Sequence, residues 1–157
     1  MLLNKIRNLA FNTIDLISGS SINTHYKDIK KFSEASTPKS IKWESEKRIN
    51  ELLTHAVNTT EFYKPFIDFK SLNDFPVIKK NVVQENFEKF RSKTYLNKKL
   101  YKVSTSGSTG VPFFLFQDMN KRKRNSADVI YYFNKSGYEI GNRLYEFEVW
   151  RAHNKKS

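Results

Sequence analysis

Residues 100–117 read LYKVSTSGSTGVPFFLFQ, and this stretch decides the fold that the sequence predicts. Two short hydrophobic runs, at residues 100–103 and 113–117, stand on either side of seven consecutive Ser, Thr and Gly residues. Apolar runs of this length, bounded by turn residues, are typical of β-strands. The stretch therefore predicts a hairpin of two strands joined by a Ser/Thr/Gly loop at residues 104–110.

The loop carries groups that bind phosphate in proteins. Gly107 and Gly110 let the backbone adopt conformations closed to other residues and approach a ligand closely. Four hydroxyl side chains add hydrogen-bond donors. These are the side chains of Thr105, Ser106, Ser108 and Thr109. Exposed backbone N–H groups would complete a nest for phosphate oxygens. A flexible Ser/Gly hairpin without a ligand explains the same composition equally well.

This loop differs from a Walker A motif, which places Gly-Lys-Ser/Thr at the start of a helix after a strand. Here Gly110 is followed by Val111 and Pro112. Pro112 has a fixed backbone angle and stiffens the exit from the loop. We therefore expect the chain to continue into a second strand instead of a helix.

The chain begins with a predicted amphipathic helix over Leu2–Ile17, which has apolar residues at helical spacing and stops before Gly19. Lys5 and Arg7 interrupt its apolar residues, and no small-residue cleavage site follows, which argues against a secretory signal. We prefer a helix docked on its own domain; a membrane-surface role is the alternative. A polar connection, rich in Ser and Lys, is expected from there to Pro38.

Two further helices are predicted before the hairpin. The first, Ser40–Asn58, has an apolar face and a charged face, and an aromatic cluster at residues 62–66 follows it. Pro76 favours an extended backbone over Leu72–Ile78. A third helix is expected to begin near Lys79 or Lys80 and to bury three apolar side chains, which are Val83, Phe87 and Phe90.

After the hairpin, Asp118 is a candidate N-cap for a helix that stops at Gly137. Its predicted core residues are Ala127, Ile130, Tyr131 and Phe133. The run Leu144–Trp150 is rich in aromatic and apolar residues, with Glu146 and Glu148 alternating, and predicts another strand.

The basic run Lys121–Arg124 near the start of this helix has three interpretations. It raises the positive potential around a bound nucleotide, forms a solvated helix face, or belongs to a nucleic-acid patch together with the nearby aromatic residues. We prefer the solvated face, because a run of charges alone rarely marks a site. The aromatic side chains at 131–133 are expected to be core residues.

The composition narrows the functional classes. The chain has 157 residues and a formal net charge of +12, with 17 basic and 7 acidic residues in its second half against 11 and 9 in residues 1–78. An anionic partner is therefore expected to meet the second half. The sequence has no Cys, and its three His residues are scattered, so we expect no metal site. No apolar run is long enough for a membrane span, and we expect a cytoplasmic protein.

Residues 105–112, Thr-Ser-Gly-Ser-Thr-Gly-Val-Pro, resemble the signature phosphate loop of the AMP-forming acyl-adenylate synthetases, Thr-Ser-Gly-Ser/Thr-Thr-Gly-x-Pro. Many members place Lys after that Pro, whereas this chain has Phe113. A branch that includes phenylacetate-CoA ligases and CapK-type proteins of capsular polysaccharide biosynthesis shares this departure. The resemblance runs from about Ser40 to Trp150. Other stretches similar to that branch are residues 52–63, 75–80 and 137–143.

The resemblance implies an α/β fold, in which N-terminal helices precede a partial sheet that contains the phosphate-loop hairpin. Residues 1–39 would form the N-terminal helix and polar connection. Residues 40–157 would form the N-terminal portion of an adenylate-forming domain, without its C-terminal part and small lid domain.

The resemblance also implies a two-step reaction. A carboxylate attacks the α-phosphate of ATP to give an acyl-adenylate and pyrophosphate, and the acyl group then passes to a thiol such as coenzyme A. Magnesium would accompany the ATP. The loop would hold the β- and γ-phosphates through the hydroxyls of Thr105, Ser106, Ser108 and Thr109 and through backbone donors at Gly107 and Gly110.

In these synthetases the adenine pocket, the acidic residue on the ribose, the magnesium-binding Glu and a Lys of the mobile domain follow the loop. None of these has a counterpart in this sequence, so we expect no catalysis by the chain alone. One rival hypothesis is a small basic protein that binds another anion or nucleic acid. Another is a noncatalytic partner that associates with itself or another subunit through an uncovered sheet edge.

Overall fold

A computed structural model of the chain describes residues 2–34, 37–105 and 112–145. These ranges form a mixed α/β structure that is mostly helical and contains one small antiparallel sheet. Its helices are α1 (Leu2–Ile17), α2 (Ser21–Ser33), α3 (Pro38–Thr59), α4 (Lys80–Glu85), α5 (Phe87–Phe90) and α6 (Met119–Lys135). The strands are β1 (Tyr101–Ser104) and β2 (Phe114–Gln117), and short 3-10 helices cover Lys64–Phe66, Leu72–Asp74 and Lys93–Tyr95.

Three helices lie where the sequence predicts them, and local signals explain their ends. Helix α1 stops before Gly19, whose φ of 90° suits glycine. Helix α3 begins at Pro38, two residues before the predicted start, because Thr37 accepts a hydrogen bond from the Ser40 N–H. Helix α6 is capped by Asp118, whose carboxylate accepts from the Lys121 N–H at 2.7 Å.

The polar connection predicted between α1 and Pro38 is wrong, because helix α2 occupies most of it. Ser20, at the N-cap position, has a φ of 53° and makes no side-chain cap. The cap comes instead from Asp15 of α1, whose carboxylate accepts from the N–H groups of Ile22 (3.1 Å) and Asn23 (3.0 Å). Asp15 is accordingly buried. A carboxylate at this place stabilises the N-terminus of α2, where the helix dipole is positive.

The third predicted helix is interrupted. Asn86 separates α4 from α5, and its side-chain amide donates to the Val82 carbonyl at 3.1 Å. Asn competes for backbone groups in this way and favours helix ends. Three apolar side chains are expected to be buried there, and all three are only half-buried. They are Val83, Phe87 and Phe90.

The main packing is helix on helix, between α2 and α6. Ile29 of α2 packs with Ala127 and Tyr131 of α6 in the buried core. Tyr26 of α2 meets the Tyr131 ring edge-on, with 5.9 Å between the ring centroids, a geometry that aromatic pairs favour. The prediction that Ala127 and Tyr131 are core residues is confirmed, whereas Ile130 is half-buried and Tyr132 and Phe133 are exposed.

An aromatic cluster fills the turn after α3, as the sequence predicts. Phe62 stacks on Phe90 with 3.9 Å between the ring centroids, and Tyr63 meets both Phe75 and Phe90 edge-on. Phe66 stacks on Phe75 with 5.4 Å between the ring centroids. These rings join the end of α3 to α5 and to the segment between them.

Helix α1 docks on the rest of the chain through polar side chains. The Asn4 amide donates to the Asn142 side chain at 3.1 Å, and the Asn8 amide donates to the Ile140 carbonyl at 3.0 Å. Gly141 lies against the α1 backbone so closely that a Cβ atom there would collide with the Asn4 carbonyl oxygen. No helix in the described ranges is long and apolar enough to cross a bilayer.

A carboxylate in α2 joins three helices. Asp28 accepts two hydrogen bonds from Arg48 of α3, at 2.7 and 3.0 Å, and one from Arg124 of α6 at 2.6 Å. Lys123 also turns inward and donates to the Ser18 carbonyl at 3.2 Å. The solvated face predicted for Lys121–Arg124 is therefore wrong for its last two residues, which lie at helix contacts; Lys121 and Arg122 are exposed.

The Asp28 carboxylate should make stability depend on pH. Hydrogen bonds from Arg48, then Arg124, lower its pKa from the usual 3.8 to about 2. Because the folded-state pKa is depressed, the stabilisation is present above pH 4 and is lost as pH falls from about 4 to 2. The side chain is 35% exposed, so solvent screening reduces the stabilisation to about 1 kcal/mol.

We expect Asp28→Asn to flatten the pH dependence of unfolding between pH 4 and 2, measured by urea titrations at several pH values. Asp68→Asn, a substitution of an exposed carboxylate outside the helix contacts, is the control and should keep the wild-type slope. Equal slopes for Asp28→Asn and wild type would contradict the expectation.

Candidate phosphate-loop hairpin

The two strands pair as the sequence predicts and place the loop at one end of the hairpin. Tyr101 lies opposite Gln117, and Ser104 lies opposite Phe114. The pairing extends by one step beyond the strands, because the Thr105 N–H donates to the Phe113 carbonyl at 2.8 Å. Thr105 and Phe113 therefore close the base of the loop.

Of the six predicted phosphate-binding residues, Thr105 lies within the described ranges. Its side-chain oxygen accepts from the Phe113 N–H at 3.3 Å, which leaves the hydroxyl hydrogen to donate to a ligand. The remaining five, Ser106, Gly107, Ser108, Thr109 and Gly110, lie outside the described residues, as does Val111. The sequence predicts Thr105 as a ligand contact and gives no sign that Thr105 also closes the hairpin.

One face of the hairpin packs on α5. The Phe87 ring lies 4.8 Å from the Phe114 ring and 5.9 Å from the Phe116 ring. The Lys102 ammonium lies 4.2 Å from the centre of the Phe114 ring, within the range of a cation–π contact. Lys102 is exposed, and it brings a positive charge to the strand that leads into the loop.

A cleft of about 310 Å³ lies beside the other end of the hairpin, between the α4–α5 segment and the start of α6. Its walls are mainly apolar and include Val83, Phe90 and Leu100, while Arg91 and Lys121 bring charges to it. The sequence does not indicate this cleft, because its pattern predicts that the α4–α5 side chains belong to a closed core. Its apolar walls suit a hydrophobic group better than a polyphosphate.

Three further expectations concern the basic run, metal ligands and the strand at Leu144–Trp150. Arg122 lies with its guanidinium 4.9 Å from the centre of the Tyr101 ring, at the hairpin end away from the loop. Within residues 2–34, 37–105 and 112–145, no three His, Asp or Glu side chains converge as metal ligands. Leu144 and Tyr145 are not in a strand, and the rest of the strand predicted for Leu144–Trp150 lies outside the described residues.

Comparisons with protein-family models, curated proteins and solved structures gave no match for this chain.

Proposed function

We propose that the chain is the N-terminal part of an ATP-dependent, AMP-forming carboxylate–CoA ligase-like protein, and that its loop binds the phosphates of ATP. The observation that carries the proposal is the position of the motif. The eight residues at 105–112 that resemble the synthetase signature join two paired strands, and the hydrogen bonds between Thr105 and Phe113 hold both ends of the loop together.

Closure at Thr105 and Phe113 favours phosphate binding by reducing the number of conformations that the loop can adopt. Binding a phosphate group in a loop costs the conformational entropy of the residues that become ordered. A loop whose ends are already held pays less of that cost. Its Ser and Thr hydroxyls and backbone N–H groups can then be directed toward one anion.

The proposed role of these residues is to bind and orient the nucleotide. Thr105, Ser106, Ser108 and Thr109 donate hydroxyl hydrogen bonds to phosphate oxygens, and Gly107 and Gly110 expose backbone donors. Magnesium accompanies the ATP and offsets its charge. In the synthetase reaction a carboxylate displaces pyrophosphate from ATP, and the acyl group then passes to coenzyme A.

Nucleotide binding by the purified 157-residue chain tests the proposal. We expect saturable binding of a fluorescent ATP analogue in the presence of Mg²⁺, and at least a tenfold loss of affinity for Gly107→Ala, because the added methyl group restricts the loop backbone. Gly19→Ala is the control for general destabilisation, since Gly19 has a φ of 90° that strains an alanine and lies between α1 and α2. We expect no carboxylate-dependent exchange of pyrophosphate into ATP by this chain alone.

The nucleic-acid alternative gives a different result in the same assay. A basic nucleic-acid binder would bind duplex or single-stranded DNA with affinity that falls steeply with salt, and ATP would not compete for its site. Binding of DNA together with equal ATP affinities for wild type and Gly107→Ala would reject the phosphate-loop proposal.

A further inference from the structure

Helix α1 presents an apolar face to solvent. Its polar contacts through Asn4, Asn8 and Asp15 occupy the side that docks on the rest of the chain. At 3.6 residues per turn, the side opposite these contacts holds Ile6 and Ile17, and beside them lies a row formed by Leu2, Leu9 and Leu16. These three leucines are between 68% and 74% exposed. The docking of α1 therefore leaves its apolar face without a partner among the described residues.

The apolar face is broad, and Thr13, whose hydroxyl donates to the Leu9 carbonyl at 2.8 Å, is the one polar side chain within it. Ile6 and Ile17 lie beside the row of leucines, at 53% and 81% exposure. Leu3 and Ile14 extend the face further around the helix and are also more than half exposed. Isolated exposed leucines are ordinary on protein surfaces, whereas a contiguous apolar face of this kind marks a site of interaction.

The charges on α1 indicate what meets this face. Lys5 and Arg7 lie on opposite edges of it, as the helical spacing requires. The only acidic residue of α1 is Asp15, and its carboxylate is buried against the N-terminus of α2. The outward surface of the helix therefore combines apolar side chains with cations and carries no exposed carboxylate.

We propose that α1 binds flat on an anionic lipid surface, with its apolar face at the boundary between headgroups and acyl chains. Amphipathic helices with basic side chains flanking a leucine-rich face bind membranes in this way. Lys5 and Arg7 have long aliphatic stems, which allow their charges to reach the phosphate level while the neighbouring apolar residues are buried. Attraction to anionic lipid would add to the apolar contribution.

Pairing of two copies through the same face fits the charges less well. Two α1 helices would bring the cations at residues 5 and 7 of both chains together, with no acidic side chain of α1 to oppose them. Each chain also has a net charge of +12, and such self-repulsion opposes association at low salt. An anionic lipid surface complements both the apolar side chains and the cations of α1.

Co-sedimentation of the full chain with lipid vesicles tests the proposal. We expect binding to vesicles that contain phosphatidylglycerol, and much weaker binding to vesicles of phosphatidylcholine alone. Ile6→Ser with Leu9→Ser should reduce binding to the anionic vesicles by at least about tenfold, because two apolar side chains no longer enter the interface. Lys5→Gln and Arg7→Gln should each reduce it by roughly fivefold at low salt.

Exposed residues elsewhere supply the controls. Leu72→Ser with Val77→Ser removes two apolar side chains that are also more than half exposed, and Lys93→Gln removes an exposed charge. These variants should bind as wild type does, and circular dichroism checks that α1 variants remain folded. Equal binding of the α1 and control variants would overturn the proposal. A concentration-dependent dimer that requires Ile6 and Leu9, without vesicle binding, would also overturn it and would assign the face to a second copy.

Discussion

Tyr131→Ala should lower the free energy of unfolding by about 3 kcal/mol or more, the range for removal of a buried aromatic ring. Tyr131 is 3% exposed and lies between α2 and α6. Its ring packs with Ile29 and Ala127 and meets Tyr26 edge-on. Urea denaturation followed by circular dichroism measures the loss.

The adjacent residue gives a matched control for this prediction. Tyr132 belongs to the same helix and is 61% exposed. Tyr132→Ala should change the free energy of unfolding by less than about 1 kcal/mol, as most surface substitutions do. Similar losses for the two variants would show that contact between α2 and α6 is not the main source of stability.

Gly141→Ala should detach α1 and lower the free energy of unfolding by about 2 kcal/mol or more. The glycine has a φ of 100°, which an alanine adopts only with strain. The added Cβ would also collide with the Asn4 carbonyl oxygen and lie 3.1 Å from the Asn8 nitrogen. Both atoms belong to the helix backbone and cannot turn aside as a flexible side chain can. Amide hydrogen exchange should therefore increase throughout α1.

Gly137→Ala separates steric collision from backbone strain. Gly137 also has a positive φ, of 84°, but a Cβ atom there would have no neighbour within 4 Å. Gly137→Ala should lower the free energy of unfolding by about 1 kcal/mol through backbone strain alone, and amide hydrogen exchange in α1 should not increase. Equal losses at the two positions would mean that the close approach of Gly141 to α1 contributes nothing.

Local sequence signals account for the elements that were predicted. Helical spacing and nearby caps identify α1, α3 and α6, and the Ser/Thr/Gly run between two apolar segments identifies the hairpin. Helix α2 was missed because its N-terminus is capped by Asp15, a residue of another helix. A cap supplied from outside the segment leaves no signature at the usual positions.

Long-range contacts limit what could be predicted about the functional surfaces. The motif identified the loop, but the closure of its base depends on Thr105 meeting Phe113 across the hairpin. The sequence predicts a solvated face for residues 121–124 because Asp28, the partner of Arg124, is 96 residues away. For α1, periodicity located the apolar face, whereas its orientation follows from polar contacts with residues 140 and 142.

The packing of α2 on α6 also determines when the protein can complete its core during synthesis. Asp28 and Arg124 are separated by 96 residues, so a ribosome that adds roughly 5–20 residues per second needs about 5–20 s to make the stretch between them. Until α6 has been made, the inner face of α2 has no partner helix, and the nascent chain exposes it together with the outer face of α1.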